Sequence, residues 1–437
     1  MVNGKKADYH WVSDAFHQPI IEINAGISED YVVQIQLTGN TIEKVESEIR
    51  IVQGEAKFIH FGQAKILSIS DPDNQFSLKQ TSPSCLEVVS NSVGIVPLFI
   101  QLRQGQAEWT VPVQINTIAP VGIEQLQNKE GQFESFELVN HSGTIRQGKI
   151  MVNRFTKSIA IPPKEKIQIS VPLEYIKKGH NQIIIEWKDE SISNQLFSNW
   201  DIQADAKYEP VNLEPFFNDH VTNTFKHLYL SPRPASTSLQ IPWQGIGNWC
   251  YPLIQPDISV EGIKNKKAVH LDKIPFLLGS DKNIGYTSQW KNFPETLTVP
   301  LSGKADHAYL LMAGTTNHQQ SQMANGIIYF QYTDGSKDSL PLKNPDNWWP
   351  IEQDYMQDGF AFKSGEKPYR LIFKTGEITR TFSNYTEIKG FSNRVIAGGA
   401  ATVLDIPLNK DKTLQSMTLK TLTNEVVLGI MSLSLER

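Results

Sequence analysis

Ile327-Ile328-Tyr329-Phe330-Gln331-Tyr332 leads through Asp334-Gly335 into Ser339-Leu340-Pro341-Leu342. The first stretch is rich in β-branched and aromatic residues, and Asp-Gly suits a tight hairpin turn because glycine takes positive φ without a Cβ clash. These residues predict a β-hairpin. The same period-two texture recurs along the chain, while long 3.6-residue stripes rich in Ala, Leu, Glu and Lys are scarce. The pattern predicts an all-β protein.

Working outward, Ala401–Ile406, Gln415–Leu419 and Val426–Met431 read as successive strands of a larger jelly-roll-like β-sandwich that contains the hairpin. Upstream, Phe133–Val139, Lys149–Val152, Lys166–Val171 and Asn181–Trp187 suggest about seven short strands in under a hundred residues, the pattern of an immunoglobulin-like sandwich. Earlier still, Tyr31–Leu37, Ile95–Gln101 and Ala107–Ile115 read as strands of another small sandwich. A chain of 437 residues is too long for one ordinary core. Three domains are therefore expected: an N-terminal β-sandwich at 1–119, an immunoglobulin-like β-sandwich at 120–205, and a jelly-roll-like β module at 206–437. Residues 206–220, with two prolines and little alternation, read as a linker or wrapping arm.

Composition narrows the function classes. With 40% hydrophobic and 20% charged residues and a formal charge of −5, the chain has no electrostatic footprint for nucleic acid. Apolar runs such as Val96–Ile100 and Tyr309–Ala313 fall far short of the ~20 residues that span a bilayer, so no membrane span is expected. The N-terminal Met1–Lys6 leads into polar sequence, and no signal peptide is visible. Cys85 and Cys250 fall in different expected domains and form no zinc spacing.

Nucleotide and metal motifs are incomplete. Gly143–Lys149 has phosphate-loop spacing, but Ile150 stands where Ser or Thr would hold Mg²⁺, and a β-like run follows. Gly245-Ile246-Gly247 lacks the third glycine of a dinucleotide fingerprint. The ten histidines form no HExxH or HxH pair. Asp71–Asn74 and Asn344–Asn347 carry oxygen ligands, yet they read as Asx turns in the absence of a further acid at calcium-loop spacing. No metal and no cofactor are expected.

The stretch from Ile241 to Tyr355 holds five of the nine tryptophans. Trp243, Gln244, Asn248 and Trp249 share one Gly- and Pro-containing segment, and Asn347, Trp348, Trp349, Glu352, Asp354 and Tyr355 another. Sugars need this mixture, an aromatic face for ring C–H groups and amides or carboxylates for hydroxyls, and binding residues concentrate on loops of rigid sandwiches. These ten residues are the candidate carbohydrate site. Large sandwiches also fill their cores with tryptophan, so burial is the rival reading for each ring. Glu352 and Asp354, with Asp358 nearby, are the candidates for acid and base chemistry. On one strand face their backbones would lie roughly 6 to 7 Å apart, compatible with the carboxyl pairs of glycosidases and equally with two acids that only hold hydroxyls or pair with an arginine.

The phrases Ser231–Pro234, Leu239–Pro242, Gln244–Cys250, Pro300–Ala305, Tyr309–Gly314, Asn347–Tyr355 and Gly398–Ala401 resemble the β-rich domain family found C-terminal to α/α-barrel glycoside hydrolases of polysaccharide-degrading gut bacteria. Together they span nearly all of residues 231–437, and residues 8–30, with Tyr9-His10-Trp11-Val12, carry the same likeness. The resemblance implies a periplasmic or extracellular setting and a catalytic α/α barrel upstream as partner; no such helical barrel is present in this sequence. The expected function is that of a non-catalytic accessory region binding or positioning a poly- or oligosaccharide. Two alternatives stand beside it: a glycoside hydrolase or lyase built on Glu352 and Asp354, and a structural module whose aromatics pack on the catalytic barrel.

Overall fold

The computed structural model describes residues 9–13, 19–23, 46, 48–126, 133–202, 206–227, 258–316, 320–355, 367–389 and 393–437. The protein is all-β, and its described helices are three short 3₁₀ turns. The chain divides into two compact units, Met1–Ile176 with Gln182–Phe197, and Lys177–Asn181 with Ser198–Arg437. The expected strand at Tyr31–Leu37 lies outside the described residues.

In the first unit β1 (Tyr9–Ser13) and β2 (Pro19–Ile23) form a hairpin. Seven strands then build a sandwich: β3 (Glu48–Val52), β4 (Lys57–His60), β5 (Lys65–Ser70), β6 (Phe76–Ser82), β7 (Cys85–Ser90), β8 (Gly94–Gln104) and β9 (Ala107–Ile118). Their sheets run β3-β9-β8-β5 and β4-β7-β6, and β3 lies parallel to β9. First and last strands joined in parallel are an immunoglobulin-like closure. Alternation supplies the core: Leu98, Ile100 and Leu102 of β8 and Val113 and Ile115 of β9 are fully buried, while their sequence neighbours face outward.

A second sandwich follows from β10 (Val121–Leu126), β11 (Phe133–Asn140), β12 (Arg146–Val152), β13 (Phe155–Ile161), β14 (Lys166–Pro172), β15 (Gly179–Trp187) and β16 (Ile192–Asn199). Its sheets, β10-β11-β14 and β13-β12-β15-β16, face each other across Phe136, Leu138, Ile150, Val171, Ile183 and Ile185, the three-on-four arrangement of immunoglobulin-like modules. The Gly143–Lys149 motif runs from a turn into β12, so its last residues sit in a strand and not at a helix N-terminus.

The second unit holds β17 (Tyr208–Val211), β18 (Ala268–Leu271), β19 (Ile274–Leu277), β20 (Gly285–Ser288), β21 (Thr296–Pro300), β22 (His307–Thr316), β23 (Ala324–Tyr332), β24 (Lys337–Lys343), β25 (Arg370–Ile372), β26 (Glu377–Thr379), β27 (Thr386–Lys389), β28 (Asn393–Ile396), β29 (Ala400–Pro407), β30 (Leu414–Thr421) and β31 (Val426–Glu436). One sheet runs β17-β31-β22-β29-β25-β26, with β20 also on β31; the other runs β21-β30-β23-β24. Between them lie Leu310, Ile328, Phe330, Leu342, Met417, Leu419, Leu433 and Leu435. This larger jelly-roll-like sandwich carries a third layer. The far face of the long sheet, with Tyr309, Leu311, Val403 and Met431, is covered by Trp200, the β18–β19 hairpin, Ile258 and Trp290. Double coverage explains why all ten positions of β22 and all eleven of β31 are buried, a pattern that a half-exposed strand never shows. In residues 206–220, β17 pairs antiparallel with β31, and Asp219 bridges to Ile284.

Candidate functional site

The segment between β24 and β25 was expected to display an aromatic and acidic surface. Its described part, residues 344–355, is instead packed inward except at Asp346, which is exposed, and Asn347, which is half-buried. Trp348 and Trp349 are 2% and 1% exposed. Trp348 donates its indole N–H to Asn325 Oδ1 (3.2 Å) and Trp349 to the Pro345 carbonyl (2.8 Å). Tyr355 and Phe382 set their edges against Trp349 at 5.3 and 5.9 Å between centroids. Rings enclosed in this way offer no face to a sugar, so the stacking role expected of both is corrected. Tyr355 is also buried, its hydroxyl accepting from Asn344 Nδ2 (2.9 Å). Asn347 spends its amide on the chain, accepting from the Lys343 N–H (2.9 Å) and donating to the Pro341 carbonyl (2.8 Å).

The two acids are equally internal. Glu352 is 2% exposed and accepts from Thr315 Oγ1 (3.1 Å). Burial pushes its carboxyl up to about 7, and the hydrogen bonds and the nearby Arg370 only partly oppose this. Asp354, 1% exposed, is tied to Lys367 (2.8 Å), Arg394 (2.8 Å) and Thr386 Oγ1 (2.7 Å). Its burial works toward a higher value, but the three partners outweigh it and hold the carboxyl below the usual range. An acid and base must reach a proton on substrate. Two sealed carboxyls, one of them already doubly ion-paired, do not form a hydrolytic pair. Asp358 lies outside the described residues.

Arg370 is the organising residue that the sequence reading missed. Fully buried on β25, its guanidinium donates to the carbonyls of Pro350 (2.8 Å), Ala400 (2.7 Å), Ile351 (3.4 Å) and Gln353. It gathers the 350–354 turn and β29 onto one fork, and burial lowers its own value to about 10. The signal was available: one arginine inside Tyr369-Arg370-Leu371-Ile372-Phe373 has to find internal acceptors.

A second polar cluster joins Lys177–Asn181 to the long sheet. Asp405 accepts from the His180 backbone N–H (2.5 Å) and lies 2.6 Å from its Nδ1 and 2.9 Å from His307 Nε2. Glu436 accepts from Tyr309 Oη (3.1 Å) and pairs with Lys177, which also meets Asp306 at 3.0 Å. Both carboxylates are engaged within the fold, so this cluster fastens a segment.

Trp243, Gln244, Asn248 and Trp249 lie outside the described residues, as does Cys250; Cys85 is a buried free thiol. Asp71 forms a turn, its Oδ2 accepting from the Phe76 N–H (2.9 Å). Among the described residues no helix is long and apolar enough to cross a membrane.

No protein-family profile matches the sequence, and no curated protein does either. Among solved structures, the chain is similar to SGBP-B of the mixed-linkage glucan utilisation locus of Bacteroides ovatus, in complex with a mixed-linkage heptasaccharide, at 9% identity over 92% of this chain and 80% of that chain, with a TM-score of 0.21. The surface glycan-binding protein SGBP-B from Prevotella bryantii is 10% identical over 92% of this chain and 96% of that one, with a TM-score of 0.17. A three-domain immunoglobulin structure of titin is 12% identical over 36% of this chain; the chain spans 63% of its length, and the TM-score is 0.16. The glycans named in these comparisons are those proteins' own.

Proposed function

We propose that the chain is a non-catalytic part of a glycan-degrading system that binds or positions carbohydrate through its third segment, in the periplasmic or extracellular setting implied by the family resemblance. One observation carries the reading. Ile241–Pro252 unites Trp243 and Trp249 with Gln244 and Asn248 in a Gly- and Pro-containing stretch, and these four remain as candidates once Trp348, Trp349, Glu352, Asp354 and Tyr355 are assigned to the interior and the Asn347 amide to the chain. In this role the indoles stack on sugar rings and the amides hold hydroxyls. Affinity is weak, because a few shallow contacts must offset hydroxyl desolvation and lost ligand freedom.

The catalytic alternative loses its ground with the burial of Glu352 and Asp354. The structural-module alternative calls for a broad apolar face where a barrel would dock. In the second unit the exposed large apolar side chains among the described residues are Leu277, Met323 and Leu422, which do not make such a face among those residues.

A glycan array probed with the full chain tests the proposal. Retention of a poly- or oligosaccharide is expected, with Trp243→Ala and Trp249→Ala each weakening it by roughly three- to tenfold. No retention of any glycan, or unchanged retention in both variants, would remove this reading.

A further inference from the structure

Among the described residues, no layer covers the outward face of the four-stranded sheet β21-β30-β23-β24. Its register places Thr298, Thr418, Tyr329 and Ser339 in one row across all four strands. At strand spacings of about 4.8 Å this row is roughly 14 Å long. Thr298 and Ser339 are exposed, and Thr418 and Tyr329 are half-buried. Short hydroxyls therefore flank a single aromatic ring on a flat, rigid surface. The Thr298 and Thr418 hydroxyls lie 3.0 Å apart.

The charge on this face is one-sided. Lys420 on β30 lies two residues from Thr418, and Lys337 and Lys343 on β24 stand on either side of Ser339. Lys337 Nζ sits 4.5 Å from the Tyr329 ring centroid, placing a cation beside the aromatic. No acid occupies an outward position on any of the four strands. Asp338 lies on the opposite parity and takes the Tyr332 hydroxyl, and Asp334 in the turn is paired with Lys412 at 3.0 Å. Among the described residues none of the three lysines has a carboxylate partner. A patch of uncompensated positive charge on a chain of net charge −5 is complementary to an anion.

We infer that this sheet face docks an anionic polysaccharide, whose acid groups meet Lys337, Lys343 and Lys420 while a sugar ring lies by Tyr329 and its hydroxyls bond to the row of Thr and Ser. The inference rests on the carbohydrate-binding reading and gives it a second site and a charge class. The mixture argues for a glycan over a protein, because one aromatic among hydroxyls offers little apolar surface for a protein hot spot.

Affinity electrophoresis of the full chain at low ionic strength tests it with polygalacturonate, dextran sulfate, neutral dextran and polyglutamate in the gel. Retardation is expected with polygalacturonate or dextran sulfate, the tighter of the two identifying the acid group, and not with neutral dextran. Lys337→Gln/Lys420→Gln should weaken it about tenfold and Tyr329→Ala about fivefold, with thermal melts confirming that these surface variants stay folded. Equal retardation by polyglutamate, retention of neutral dextran alone, or unchanged binding in both variants would overturn the sheet-face site. Retention lost only with Trp243→Ala and Trp249→Ala would overturn it too and leave the general glycan reading standing; no retention of any sugar would end both.

Discussion

Glu352 carries a thermodynamic load because a buried carboxyl is easier to keep neutral than charged. Its value rises from 4.5 to about 7 in the fold, so the folded chain holds a proton that the unfolded chain releases between those limits. Stability associated with this group is full below about pH 4.5 and falls as pH rises through 7. Glu352→Gln should therefore raise stability at pH 8 by about 2 to 3 kcal/mol and make little difference at pH 4. Urea unfolding at the two pH values checks this, and equal effects at both would refute the assignment. The wider lesson at this scale concerns partners. The sequence shows Asp354 among prolines and tryptophans, as a binding loop would, but not that Arg394, forty residues on, lies 2.8 Å away. The 344–355 segment looks like a ligand loop because proline and asparagine break alternation. It is held inside because one arginine, Arg370, satisfies the carbonyls of Pro350, Ile351 and Gln353 there.

Strands were the most legible level wherever one face meets a core and the other meets water. Phe136 and Leu138, Ile169 and Val171, and Ile183 and Ile185 alternate in sequence and line one interior, and the Asp334-Gly335 turn falls between β23 and β24 with Gly335 at φ 85°. Double coverage is what escapes the sequence: Val426–Met431 of β31 reads as a strand, but neither it nor β22 shows a periodicity that reveals two covered faces. Tyr309–Ala313 reads only as an apolar run, and the extra layer it implies comes from segments distant in sequence. Close packing on both sides also explains Gly314. A Cβ there would stand 2.1 Å from the Val427 carbonyl oxygen, a backbone atom that cannot swing aside. Gly314→Ala should cost about 3 kcal/mol, read as a lowered denaturation midpoint; a loss under about 0.5 kcal/mol would show that the β22–β31 ladder yields more easily than its contacts imply.

Across the whole molecule, two compact units with separate cores predict unfolding that departs from a single all-or-none step. Calorimetry should give an enthalpy larger than the van't Hoff value, and coincident enthalpies would argue for one cooperative block. The expected three-part division follows strand patterning, which registers each sandwich; compactness instead keeps the first two together and assigns Lys177–Asn181 to the later unit, a choice made by side chains such as Lys177 and His180 meeting Glu436 and Asp405. Strand β31 sets a schedule as well. It is flanked by β17, β20 and β22, one strand in from the edge of the long sheet, yet it is the last of the described strands in chain order. During translation the early sandwiches can close while still near the ribosome, whereas β17 must wait more than two hundred residues for its neighbour. Until then a half-built sheet shows open edges, which makes this stage the natural point for a chaperone to hold the nascent chain.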